Sequence, residues 1–201
     1  MAVMAGACIT IDRFLGQEQA AVLLADLLQH ESAFTPATVG SGTRERIDTA
    51  QRLVGHADID SSALNAFVEA FSARVPDLCR QLGLPAFHPH ELEVDILAYG
   101  DGGFYHRHVD VALGANRPET SRLLSAVYYL HRLPRRFTGG ALRFYAVPGG
   151  DSTDVEPESD RLVAFPSFTP HEVLPVGVPS GAFADRRFTI SVWVRRARVS
   201  G

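Results

Sequence analysis

The chain contains no lysine: all 19 of its basic residues are arginine. A lysine Schiff base is therefore excluded, and any anion has to be held by arginine, histidine or backbone N–H groups. Cysteine is nearly as scarce, with only Cys8 and Cys79 among 201 residues. Their separation fits no metal or redox spacing and no disulfide framework, so a reducing, cytoplasmic setting is expected. A dominant charge is missing too. The net charge of -4 supplies neither a basic face for nucleic acid nor an acidic tail. No stretch approaches the roughly 18 apolar residues of a membrane span. The opening "MAVMAGACITIDRF" lacks the basic start and long apolar run of a signal peptide. Neither nucleic acid nor a membrane is expected as a partner. Repeats and low-complexity tracts are absent as well.

What is present is apolar material, 46% of the chain, enough for one domain spanning 1–201 with a real core. Its texture changes near residue 85. Before that point "GQEQAAVLLADLLQHE" (16–31) and "DSSALNAFVEAFSARVPDLCRQLG" (60–83) carry apolar residues at helical spacing. The second begins with capping candidates, ends at Gly83, and contains Pro76, which should kink or split it. Between them, "TPATVGSGTRERIDTAQ" (35–51) reads as a flap loop with weak strand content. Residues 1–88 thus form a helical amino-terminal part.

After Leu84 the pattern turns to strands. "ELEVDILAYG", "RLLSAVYYLH", "GALRFYAV", "DRLVAFPS", "PHEVLPV" and "RRFTISVWVRR" alternate between turn signals. Helices followed by short antiparallel strands predict an α+β chain with a mostly β, barrel-like core over 91–196.

The chemistry is concentrated in "GGFYHRHVD". His106, His108 and Asp110 stand at every second position, which on a regular strand puts all three on one face. A mononuclear iron centre that activates oxygen uses two histidines and one carboxylate with open positions opposite. His108 and Asp110 supply two such ligands, and His171 of "FTPHEVLPV" can supply the third from a distant strand. An isolated H-x-D occurs often by chance; the last strand adds weight. Arg187, Thr189, Ser191 and Trp193 share one face of "RRFTISVWV", and Phe188, Ile190, Val192 and Val194 share the other. An arginine on a buried strand is costly unless an anion meets it. A dicarboxylate held bidentately would pair Arg187, with Tyr129 as a second donor. His106 is expected beside His108 in a supporting or neutral role. His88 and His90 read as a solvated loop, and His30, His56 and His131 as surface or structural groups.

The ordered set "AYGDGGFYHRHVD", "YYL", "GGALRFY", "VEPESDRLVAF", "PHEVLPV" and "RRFTISVWV" resembles the iron(II)- and 2-oxoglutarate-dependent dioxygenases, in their prolyl-4-hydroxylase-like branch. The stretches "VEPESDRL" and "PHEVLP" look closest to the hypoxia-sensor type of prolyl hydroxylase. The resemblance covers roughly Leu92 to Arg195. It implies a double-stranded β-helix (jelly roll) with the amino-terminal helices packed outside. By position, His108, Asp110 and His171 match the iron ligands. Arg187 matches the arginine that grips the far carboxylate of 2-oxoglutarate, Tyr99 and Tyr129 line that pocket, and Leu142 is its hydrophobic wall. Trp193 would wall the site with Tyr99. The extra residues "GVPSGAFAD" before the last strand depart from the pattern and put Arg186 in competition with Arg187; alternation with Trp193 favours Arg187.

The implied activity is hydroxylation of an unactivated C–H bond. It uses iron(II), 2-oxoglutarate and O2, with ascorbate as an accessory reductant, and releases succinate and CO2. The implied target is a prolyl residue of a peptide or protein. The same chemistry on a free amino acid, a small metabolite or a ribosomal peptide is the alternative. Arg44, Arg46 and Arg117, in the flap and in the loop "VALGANRPETSR", are candidates for substrate contact. A cupin-like metal- or sugar-binding barrel is a further alternative. It would want a glutamate soon after the second histidine, where residues 112–115 are "ALGA".

Overall fold

The computed structural model describes residues 8–38, 47–85, 91–111, 120–146 and 149–197. Two helices form where the apolar spacing places them. Helix α1 (Gln17–Gln29) buries Ala20, Leu23 and Leu27, one face at three- and four-residue intervals. Helix α2 (Ser62–Gln81) buries Leu64, Phe67, Phe71, Val75, Leu78 and Cys79. The side chain of Ser61 caps α2, accepting the Leu64 N–H at 3.1 Å. Pro76 does not split this helix, which runs through it as a single element. Pro76 and Ser72 are both exposed, so the carbonyl one turn back that loses its N–H partner can turn to water.

The strands are β1 (Ile9–Asp12), β2 (Thr35–Pro36), β3 (Arg52–Leu53), β4 (Gly55–Ala57), β5 (Glu91–Tyr99), β6 (Phe104–His108), β7 (Thr120–Leu130), β8 (Thr138–Gly139), β9 (Leu142–Tyr145), β10 (Ser152–Val155), β11 (Arg161–Pro166), β12 (His171–Val173), β13 (Val176–Gly177) and β14 (Arg187–Ala197). The larger sheet runs β1-β11-β7-β14-β5-β4-β2 and the smaller β10-β9-β12-β6-β3, with β13-β8 as a separate pair. The two larger antiparallel sheets make the jelly roll, and the helices pack on the outside of the larger one. The first 88 residues hold more than helices: β1, β2 and β4 extend the larger sheet, and β3 edges the smaller. Of the segment 35–51, the described residues join the larger sheet through β2 and lead by a turn at 49–51 into β3 of the smaller.

Strand alternation divides the apolar residues into two cores. Phe188, Ile190, Val192 and Val194 of β14 join Ile96 and Ala98 of β5, Tyr128 of β7 and the buried faces of α1 and α2. Leu97 and Tyr99 of β5, Tyr129 of β7, and Val163 and Phe165 of β11 belong to a second core between the sheets. The extra residues before β14 form a short 3-10 turn, Phe183–Asp185. Phe183 packs edge-on against Phe34 and Phe188, each 5.1 Å away between ring centroids. The turn is therefore anchored in the outer core, and β14 starts at Arg187.

Candidate metal centre and anion pocket

His108 closes β6, Asp110 follows two residues later, and His171 opens β12 directly opposite His108. One donor atom from each of the three lies within 4.8 Å of the others. The chain fixes which atoms point inward. Nδ1 of His108 is 2.8 Å from the His106 carbonyl, and Nδ1 of His171 is 2.9 Å from the Thr169 carbonyl. Each Nδ1–H donates to that carbonyl, so each Nε2 keeps its lone pair. Those Nε2 atoms stand 3.6 and 3.7 Å from the two Asp110 carboxylate oxygens. The hydroxyl of Ser125 donates to Asp110 Oδ2 at 2.7 Å and sits 2.8 Å from the Ser167 hydroxyl. The Asp110 N–H donates to the Ser167 carbonyl at 2.9 Å.

The electrostatics suit a cation. Burial pushes the Asp110 carboxyl up, but His108, His171 and the Ser125 hydroxyl outweigh it and hold Asp110 well below the ordinary value. Burial lowers His171 to about 4, so its imidazole is neutral and free to ligate at neutral pH. Two imidazole nitrogens and one carboxylate on a single face form the donor set that leaves positions open on a divalent iron.

His106 does not join them. Between β6 and β12 the register slips: His171 faces His108, but Val173 faces Tyr105. Three steps on β6 answer two on β12, a β-bulge. The extra residue breaks the two-residue alternation, brings Tyr105 to the cavity beside His108, and leaves His106 exposed. The Tyr105 and His108 rings stack with centroids 3.6 Å apart. The shared face expected for His106 and His108 is thus corrected.

Across the cavity lies Arg187, 1% exposed. Its guanidinium carbon sits 4.6 Å from the Tyr99 ring centroid and 4.9 Å from that of Tyr129. Among the described residues, none of its three nitrogens has a hydrogen-bond partner, and neither does the buried Tyr129 hydroxyl. Burial pushes that phenol up to about 12, against the pull of Arg187, so it remains a donor. Leu142 is fully buried and walls the same cavity, as does Trp193. Gly140 leaves room for the arginine: its φ is +75° and a Cβ there would lie 2.8 Å from Arg187 Cδ. Buried guanidinium donors and a phenol converging without partners fit a carboxylate. Arg186 instead lies over the Phe183 ring at 5.1 Å.

The cavity holding both groups measures about 380 Å³. It also contains residues that the sequence reading passed over. Ser125 and Tyr105 touch the triad, and Arg52, Glu93 and Asp95 line a third side together with His56, which was expected to be a surface or structural group and instead lines the cavity. One signal was available: Glu93 and Asp95 share strand parity with Tyr99. Arg44, Arg46, Arg117, His88 and His90 lie outside the described residues. His131 is buried, with Nδ1 2.9 Å from the Arg132 carbonyl.

Residues 94–195 match the family model of the 2OG-Fe(II) oxygenase superfamily. The chain is 32% identical over 143 residues to an uncharacterised PKHD-type hydroxylase of Synechocystis sp., an alignment covering 67% of this chain and 46% of that one. It spans less than half the length of the curated relatives it matches. Among solved structures, a Pseudomonas putida prolyl-4-hydroxylase superimposes with a TM-score of 0.71 at 26% identity, covering 96% of this chain and 94% of that one. A Trichoplax adhaerens prolyl hydroxylase, in complex with a peptide fragment of the hypoxia inducible factor oxygen degradation domain, shares the fold. Its TM-score is 0.68 at 23% identity, over 94% of this chain and 83% of that one.

Proposed function

Because the chain belongs to the 2OG-Fe(II) oxygenase superfamily, we propose that it is a 2-oxoglutarate-dependent hydroxylase acting on an unactivated C–H bond, with a prolyl ring as target. The observation that carries this reading is Arg187, a buried guanidinium with no hydrogen-bond partner among the described residues, in the same cavity as a His-Asp-His donor set. His108 and His171 through Nε2, with Asp110, would hold iron(II). Arg187 and the Tyr129 hydroxyl would bind the far carboxylate of 2-oxoglutarate, with Leu142 and Tyr99 as walls; Trp193, three inward positions along β14 from Arg187 and paired with Ser125, would stand at the metal end. Iron held there would supply oxygen activation, with one atom of O2 ending in the hydroxylated product, the other in succinate, and carbon 1 of 2-oxoglutarate lost as CO2. The chain's own part is orientation and exclusion of water. Ser125 fixes the Asp110 carboxylate, and the two backbone carbonyls fix the imidazoles. The prolyl target is supported by likeness to the Pseudomonas prolyl-4-hydroxylase. A metal- or sugar-binding barrel without oxygenase chemistry leaves the Arg187 pocket without a use.

The test is an anaerobic titration of 2-oxoglutarate into iron(II)-loaded protein, followed by visible absorption. Chelation of the 2-oxo acid gives a metal-to-ligand charge-transfer band. The band is expected to saturate, to vanish in Asp110→Ala, and to require much more 2-oxoglutarate in Arg187→Ala. Folded, iron-bound protein that shows no band would sink the oxygenase reading.

A further inference from the structure

The two imidazoles of the triad are supported unequally. His171 opens β12, which lies inside the smaller sheet between β9 and β6. Its ring is hemmed by Phe165 at 4.7 Å and Phe144 at 6.2 Å, both members of the inner core. His108 ends β6, which has only the two-residue β3 outside it. Among the described residues, the rings beside His108 are those of His171 and Tyr105. The Tyr105 stack, with 3.6 Å between centroids and 17° between planes, does for His108 what the core does for His171.

Tyr105 is itself held by Arg52. The two residues face each other across β3 and β6, and the Arg52 guanidinium carbon lies 4.8 Å from the Tyr105 ring centroid. Nη1 of Arg52 donates to the Thr38 carbonyl at 3.2 Å, and Thr38 belongs to the stretch 35–38 that lines the cavity. Nη2 stands 3.9 Å from Asp95, an ionic contact too long for a hydrogen bond. Nε is buried with no hydrogen-bond partner among the described residues. Charge pairing alone does not account for this placement, whereas a weakly hydrated guanidinium packs well on an aromatic face. The main chain repeats the connection. The His106 N–H donates to the Gln51 carbonyl at 3.0 Å, and the His106 carbonyl receives Nδ1–H of His108 at 2.8 Å. Residues 51 and 52 thus reach His108 by two routes, one through the backbone and one through the rings.

We propose that Arg52 is a positioning residue for the metal centre: it holds Tyr105 against His108 and ties that stack to the cavity wall at Thr38. The inference rests on the reading above, in which His108 ligates iron(II). Arg52 acts on a bound cation in two ways of opposite sign. As a charge it repels a divalent ion, so its removal would tighten binding. As a support it limits the freedom that His108 gives up on ligation, so its removal loosens binding. Asp95 stands beside the guanidinium and offsets its charge, which leaves the support as the larger effect. The sign of the change in metal affinity separates the two.

The experiment is a calorimetric titration of manganese(II), which takes the same ligands as iron(II) without oxidising in air, into the metal-free full chain. Calorimetry gives stoichiometry and affinity separately. A variant that folds poorly loses binding sites, and a variant that mispositions His108 keeps its sites and binds more weakly. Arg52→Met retains the unbranched stem and should weaken manganese(II) by about tenfold, the low end for outer supports of a metal ligand. Arg52→Lys keeps the charge but lacks the plane, and should recover only part of that loss. Tyr105→Leu should weaken the metal likewise, and Tyr105→Phe should stay near the parent because the ring, not the hydroxyl, makes the stack. Since Arg52 acts through Tyr105, adding Arg52→Met to Tyr105→Leu should cost little more, whereas its loss should add to that of Ser125→Ala, which acts on Asp110. The proposal is overturned if Arg52→Met binds as tightly as the parent or more tightly, if Arg52→Lys restores the full affinity, or if the Arg52 and Tyr105 losses add. A parent chain that takes up no manganese(II) would instead strike the iron site itself, and is seen before any variant is made.

Discussion

A single hydroxyl sets the orientation of the acid in the triad. Ser125 is 1% exposed and spends its hydrogen on Asp110, so the carboxylate is turned before any metal arrives. Ser125→Ala should therefore lower affinity for iron(II) or manganese(II) by about tenfold or more, with Ser125→Thr retaining most of it. Competition against a chromogenic chelator measures this directly, and equal affinity in the alanine variant would refute the positioning role. Residues of this kind are hard to see in a sequence. His171 and Arg187 could be singled out because an apolar strand has little reason to carry them. Ser125 looks like any small strand residue, since its importance lies in a partner on another element.

Elements were legible in proportion to their length. The alternation over "ELEVDILAY" matches β5 from Glu91 to Tyr99, and that of the last strand gives the two faces of β14. Strands β2, β3 and β4 are two or three residues long, too short for any period to register. The bulge in β6 is invisible for another reason: the partner strand sets the count of three against two. Helix α2 was readable down to its cap, and the cap can be weighed. Ser61→Ala should destabilise the protein by about 1 kcal/mol, read as a lower urea midpoint with an unchanged slope. A shift within error would mean that water replaces the hydroxyl at no cost.

At the scale of the whole molecule, stability should depend on pH in part through His131, which follows β7 and packs against Phe137 at 5.2 Å. His131 is 3% exposed. Burial lowers its pKa below the ordinary value, partly offset by its bond to the Arg132 carbonyl. In the unfolded chain it titrates near its ordinary value, about 6.5. Between the lowered folded value and that point, the unfolded state binds more protons, so stability rises with pH across the window and falls on acidification. Urea midpoints should drop from pH 7 to pH 5, and His131→Gln should flatten part of the slope; an unaltered slope would exclude His131 as a source. The two cores predict a second contrast. Ile190 and Thr189 are neighbours, both almost fully buried, but Ile190 faces the helices and Thr189 the cavity. Ile190→Ala should cost roughly 2–5 kcal/mol and leave the 2-oxoglutarate affinity of the folded fraction near the parent value. Thr189→Val should change stability by only about 1 kcal/mol and shift that affinity; the reverse pattern would refute the division. If it holds, the central strands carry two messages in alternate letters. Selection would judge a change in one set by whether the protein persists in the cell, and a change in the other by what it oxidises. A lineage could then try new substrates one codon at a time without first surrendering its fold.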